Sequence, residues 1–174
     1  ASIVCDGKTG VSGAGKNPGE SNFYPQRYEN VNTYREGRHQ HIVEVENVLN
    51  ARGGGRHHIL FVPQIVPLNR GILTTIYADC ARGLSTADVQ ATYREYYKGK
   101  PFVFITDSSP NTTDVRGSNR CEVRTMVDER TGKLFITSVI DNLIKGQSGN
   151  AVQNANLMIG FEETAGLAVL PFYP

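Results

Sequence analysis

The stretch CEVRTMVDERTGKLFITSVIDNLIKGQSGNAVQNANLMIG, residues 121–160, decides the fold class. Its first half holds two runs rich in β-branched and apolar residues, CEVRTMVDE (121–129) and KLFITSVID (133–141), linked by the turn-like ERTGK (129–133). Two such runs across a short polar turn predict neighbouring strands. In its second half Ala151, Val152, Ala155, Met158 and Ile159 recur at helical spacing and predict a helix after a glycine-containing loop. Asp141 and Asn142 read as residues that cap or turn the chain before it.

Upstream the same alphabet repeats. PFVFITD (101–107) is a further strand candidate, and HILFVPQIVP (58–67) and RGILTTIYAD (70–79) form two more across a Pro-Leu-Asn-Arg-Gly turn. STADVQATYREYYKG begins with Ser85 and has Asp88 three residues on, a capping-box signature, with Val89, Tyr93 and Tyr96 to pack inward. HIVEVENVLN (41–50) places Ile42, Val45 and Leu49 on one helical face and ends at the ARGGGR turn. The opening SIVCD is a short strand running into GKTGVSGAGKNPGESN, which holds five of the 18 glycines in sixteen residues. Such a loop suits close backbone approach. Strands outnumber helices and tend to follow one another directly. The expectation is an α+β domain with a mixed, mostly antiparallel sheet and helices on one face.

The 174 residues suit one domain with a core of its own. Lys plus Arg number 18 against 17 for Asp plus Glu, so nothing electrostatic points to nucleic acid or an anionic membrane. The longest apolar runs are broken by proline and fall short of the ~20 residues of a membrane span. No signal-peptide pattern opens the chain, and a start in mid-strand is expected of a piece of something longer. Cys5, Cys80 and Cys121 are odd in number and lack CxxC spacing, against a disulfide framework or a zinc site. No metal is expected, and a reducing cytoplasm is the expected compartment.

Four blocks in fixed order carry a resemblance: GKTGVSGAG (7–15), RHQHIVEVE (38–46), FVPQIVPLNRGILTTIY (61–77) and DNLIKGQSGNAVQNANLMIGFEETAGL (141–167). Together they resemble the substrate half of the N-acetyl-gamma-glutamyl-phosphate reductases. The second block is similar to that family's HRHxPEI segment, with Val43 where the family has proline. The resemblance implies a fold like the catalytic half of glyceraldehyde-phosphate and aspartate-semialdehyde dehydrogenases. It also implies NADPH-dependent reduction of an acyl phosphate, in which a thiolate displaces phosphate and hydride then collapses the thioester.

The family's nucleophile lies in a Pro-Gly-Cys-Tyr-Pro-Thr-like motif that does not occur here, and no G-x-G-x-x-G follows a strand. Residues 1–174 are therefore expected to be a substrate-binding and dimerisation domain, inactive alone, with 147–174 packing on a separate Rossmann domain. A homodimer or tetramer is expected. By the same resemblance His41 is the catalytic acid–base. Arg70, His39, Ser12, Gly13 and Lys8 are expected at the substrate, an acyl phosphate with a carboxylate, and Gln147, Ser148, Gly149 and Asn150 at NADP. A helix N-terminus after those residues would suit an anion. His57, His58 and the three cysteines are expected to be structural. Two rivals remain open: a reductase acting on carrier-bound acyl phosphates in lysine biosynthesis, and a non-catalytic dimerisation module.

Overall fold

The computed structural model describes residues 2–17, 19–53 and 55–172. Among them the strands β1 (Ser2–Thr9), β2 (Asn32–Thr33), β3 (His58–Ile65), β4 (Ile72–Asp79), β5 (Val103–Ile105), β6 (Cys121–Asp128) and β7 (Lys133–Ile140) form one sheet. Their order is β2-β3-β1-β4-β7-β6-β5. β1 with β3 and β5 with β6 pair in parallel, and the other four pairings are antiparallel. The sheet is thus mixed and mostly antiparallel, as expected. Four helices accompany it: α1 (Tyr24–Arg27), α2 (His41–Arg52), α3 (Thr86–Tyr96) and α4 (Gly149–Ile159).

The helical face of the sheet carries Ile3, Cys5, Ile59, Phe61, Ile76 and Ile136, placed there by strand register. α2 lies on β3, and α3 lies on β5 and β6. Thr86 ties α3 down, its hydroxyl accepting from Val127 N–H at 3.0 Å. Arg27 is buried and donates to the carbonyls of Ser21, Asn30 and Ile65 and to Asn32 Oδ1, which pins the irregular 20–33 segment to β3. Nothing in the sequence pattern announced that anchor.

The opposite face is uncovered along its middle. One register row crosses five strands there, Leu60, Val4, Tyr77, Phe135 and Met126. Leu60 is 58% exposed, and the Tyr77 and Phe135 rings pack at a tilt with centroids 5.3 Å apart. α4 shows the same excess. Its inward residues are Gly149, Gln153 and Asn156, while Leu157, Met158 and Ile159 face outward, Met158 at 85% exposure. A folded monomer of 19.1 kDa should expose roughly 8,400 Å²; this chain exposes 10985 Å².

Several boundaries differ from the sequence expectation. β1 continues through Gly7, Lys8 and Thr9, because β3 and β4 hydrogen-bond it on both sides. Val45 is exposed on α2, where Glu46 turns inward to accept from Ile59 N–H at 3.0 Å. Tyr96 is exposed on α3, and Tyr97 takes the half-buried place. The Ser85–Asp88 capping box is present in both directions, with Ser85 N–H donating to Asp88 Oδ2 at 2.9 Å and Asp88 N–H to Ser85 Oγ at 3.2 Å. Replacing Ser85 by Ala should therefore cost about 1 kcal/mol, read from urea unfolding of the two proteins side by side.

Candidate active site

Asp141 directly follows β7, and its carboxylate has no solvent exposure. Arg70, from the turn before β4, donates Nη2 to Oδ2 at 2.7 Å and to Oδ1 at 2.9 Å, with Nε at 3.3 Å from Oδ1. The backbone N–H groups of Gly117, Leu143 and Ile144 donate to the same carboxylate at 2.7, 2.8 and 3.1 Å. Burial alone would raise the pKa of Asp141. The Gly117 N–H, the Arg70 guanidinium and the Leu143 and Ile144 N–H groups outweigh it and hold the carboxyl below the usual range.

Asn142 continues the lock. Its Oδ1 accepts from Gly71 N–H at 2.8 Å and its Nδ2 donates to Ser12 Oγ at 2.9 Å. Ser12 in turn donates Oγ–H to the Asn69 carbonyl at 2.6 Å. A Cβ on Gly10 would stand 2.6 Å from that same carbonyl oxygen, so only glycine lets the two loops lie this close. The glycine-rich loop 10–15, the 67–71 turn and the end of β7 are thereby one rigid edge.

Each residue expected at the substrate falls as follows. Ser12 and Arg70 sit in this lock, and Gly13 lies beside them, its open side 3.8 Å from Asn142 Nδ2. Lys8 does not belong to the loop. It lies on β1 and pairs with Asp6, which also accepts from Gln64 at 2.6 Å. This ion pair takes up the ammonium that was expected to face an anion.

His41 is the first residue of α2, its side chain 56% exposed and its Nε2 3.9 Å from Glu44 Oε2. His39 is more enclosed, packed edge-on against Tyr34, Phe61 and His41 with centroids 5.7, 5.2 and 4.7 Å away. Its Nδ1 lies 3.3 Å from the His41 N–H and accepts from it, which leaves the ring proton on Nε2. Burial, then repulsion from His41 and Arg35, holds His39 below the ordinary histidine range. A Cβ on Gly7 would touch Phe61 at 3.2 Å, and α2 runs back from there toward Ile3. His39 therefore lies over the middle of β3, where Phe61 stands opposite Cys5 and reaches over Gly7, about 10 Å along β1 from Gly10. His57 and His58 instead serve the backbone and Glu46 at the far end of α2.

The residues expected at the cofactor lie on a continuous helix. Ile144–Ser148 is a π-helical turn that runs directly into α4, with Ser148 N–H donating to the Leu143 carbonyl at 3.0 Å. The true start of this helix is at Leu143 and Ile144, and Asp141 already neutralises it. The free N-terminus expected at 147–150 does not exist. Gln147, Ser148 and Asn150 are exposed, and Gly149 is buried where a Cβ would come within 2.4 Å of Asn119 Oδ1. That Asn119 oxygen is buried without a hydrogen-bond partner.

Burial and the neighbouring Asp6 carboxylate push the Cys5 thiol up to about 11, and burial raises Cys121 too. Among the described residues no group of three or more His, Cys, Asp or Glu is placed to hold a metal ion.

A mixed sheet with helices on one face carries a histidine at a helix start and a locked glycine loop at the end of its central strands. The chain belongs to the semialdehyde dehydrogenases: residues 1–142 match the family described as "Semialdehyde dehydrogenase, dimerisation domain". The resemblance drawn from the four blocks is borne out at the level of relatives. The N-acetyl-gamma-glutamyl-phosphate reductase of Geobacter metallireducens is 45% identical, and that of Bacillus mycoides 42%, each aligned with 100% of this chain and 51% of its own length. The chain spans about half the length of these curated relatives. Among solved structures, aspartate semialdehyde dehydrogenase II from Vibrio cholerae superposes with TM-score 0.69 at 17% identity, over 91% of this chain and 55% of that one. A probable aspartate-semialdehyde dehydrogenase from Pseudomonas aeruginosa gives 0.68 at 16% identity, with the same coverage. These two show the shared fold.

Removing the Asp141 carboxylate should be the most damaging change at this edge. Asp141→Ala strands Arg70 and three backbone donors and should cost about 3 kcal/mol or more in thermal unfolding. The pH dependence has a definite sign. A depressed carboxyl contributes stability that is complete above its unfolded value of about 4 and is lost as pH falls through its lower folded value. The unfolding midpoint should drop in acid, and Asp141→Asn should flatten that slope.

Proposed function

We propose that this chain is the substrate-binding and subunit-pairing half of an NADPH-dependent N-acetyl-gamma-glutamyl-phosphate reductase of arginine biosynthesis. The observation that carries the reading is the exposed imidazole of His41 at the start of α2, packed edge-on with His39 over a sheet whose central strands lead into the Arg70 turn and the glycine loop. An imidazole can take the proton from an attacking thiol and return one to the developing aldehyde oxygen near neutral pH. His39, neutral and with its Nε2 proton free, suits a donor to a substrate oxygen beside it.

Arg70 keeps one edge on Asp141, and among the described residues its Nη1 makes no hydrogen bond. A guanidinium fixed along one edge is pre-aimed for a substrate carboxylate on the other. Ser12 and Gly13 lie beside it for the acyl chain. The thiol is expected from the other half of the enzyme, because Cys5 and Cys121 are held protonated at neutral pH.

NADPH supplies hydride when bound. Gln147 and Asn150 offer exposed neutral carboxamides and no cation, which suits the nicotinamide end and leaves the phosphates to the Rossmann domain. The outward apolar side of α4, with Leu170 at 80% exposure, suits packing against that domain. The uncovered row from Leu60 to Met126 suits pairing with a second copy. Among the described residues no helix is long and apolar enough to cross a membrane, and we place the enzyme in the cytoplasm. A non-catalytic pairing module would have no need of the Arg70–Asp141–Asn142–Ser12 lock beside an open histidine.

In the protein that contains this chain, His41→Asn should lower kcat for NADPH-dependent acyl-phosphate reduction by about 10²–10⁴-fold. Cys121→Ser should leave it within about twofold of the parent, since a buried thiol acts as a small apolar group. Activity retained by His41→Asn, with unchanged circular dichroism, would remove the catalytic assignment.

A further inference from the structure

α2 and α3 do not close on one another. Between them runs a trough of about 600 Å³ lined by Ile3, Val48, Leu49, Tyr93 and Tyr97, with Arg52 and Tyr96 at its rim. On the other side of that rim a second hollow of about 500 Å³ continues past Lys100 and Phe102 toward Glu163. Both volumes lie in the range of small-molecule sites, roughly 300–1,000 Å³. The trough sits at the far end of α2 from His41, about 16 Å away along the helix.

Its chemistry is one-sided. Arg52 Nη1 donates to Tyr96 Oη at 3.2 Å, and among the described residues no carboxylate lies within 4.0 Å of either Arg52 or Lys100. Glu163, the acid on the second hollow, accepts from the Gln153 amide at 2.6 Å and forms no direct ion pair with either cation. Aromatic faces from three tyrosines and an apolar floor thus adjoin two cations that make no direct ion pair among the described residues. A carboxylate or sulfonate would gain charge-assisted hydrogen bonds from Arg52, and a ring attached to it would bury against Leu49 and the tyrosines.

We propose that this trough binds a planar organic anion, its charged group on Arg52 with Lys100 nearby and its ring between α2 and α3. Occupancy has a consequence for the helix. No residue of α2 is buried, so the helix that begins with His41 is held lightly along its length. A ligand bridging α2 to α3 restrains that helix, coupling the trough to the histidine through a single rigid element. Binding and the restraint on α2 stand without the proposed reductase activity, and only the catalytic meaning of restraining His41 rests on that reading.

The probe is naphthalene-2-sulfonate, with 2-naphthol as its uncharged counterpart, titrated by calorimetry into the intact protein. The anion should bind at least about tenfold more tightly, the gain expected of one charge-assisted pair, and Arg52→Gln should erase the difference. Leu49→Trp, which fills the floor, should abolish binding of both. Hydrogen exchange should slow at 41–53 and 92–100 with the probe present. Equal affinity for the two probes, protection confined to 157–172, or a trough already protected without ligand because another polypeptide covers it, would each overturn the site. Binding without slower exchange at 41–47 would overturn the restraint on α2. Loss of reductase activity in the parent protein would leave all of these readings intact.

Discussion

The structure depends on one buried carboxylate. Asp141 collects the guanidinium of Arg70 and three backbone N–H groups from two separate segments. A buried ion pair of this kind is weak as a net source of stability, because desolvation takes back most of the attraction. Its value is specification: four donors converge on one point only if β7, the 67–71 turn, the 115–118 segment and the final helix all stand in their places. Asn142 extends that convergence to the loop carrying Ser12. The edge on which the proposed chemistry runs is thus fixed from behind, by groups that never touch a substrate.

The rest of the molecule is an incomplete object in energetic terms. Its accessible surface exceeds that of an ordinary monomer of this mass by about 2,600 Å², and two places stand out for their exposed apolar side chains. One is the central row on the bare side of the sheet, and the other is the outer side of α4 with the segment after it. Interfaces of standard size bury about 800 Å² per partner, so the surplus suffices for more than one contact. An apolar surface of that extent favours assembly simply by being wet.

Most of the strands and the three longer helices were legible in the sequence, because alternation, capping and turn chemistry are local signals. The Ser85–Asp88 box and the ERTGK turn are cases where local chemistry and final geometry agree. Misreadings came where tertiary pairing overrode local composition. Gly7, Lys8 and Thr9 read as loop, yet two neighbouring strands supply hydrogen bonds on both sides and draw them into the sheet. Lys8 then finds Asp6 instead of an anion. At the proposed site, the assignment of His41 rests on its motif, whereas Asp141 and Asn142 were read only as turn residues. Their importance lies in contacts 71 and 130 positions away, which no local pattern encodes.

The π-helical turn at Ile144–Ser148 sets the rotational phase of everything after it. Such a turn holds about one residue more than an α-turn, and each residue swings a helix by roughly 100°. Deleting one residue there would straighten the turn and roll α4 about its axis. Gln153 and Asn156 would leave their partners Asn119 and the Glu163 and Ala165 carbonyls, and the greasy stripe would swing away from whatever it is meant to meet. The length of this short segment is therefore under tighter constraint than its composition: substitutions can be absorbed, whereas a change of count rewrites which side of the last helix the protein shows to its neighbours.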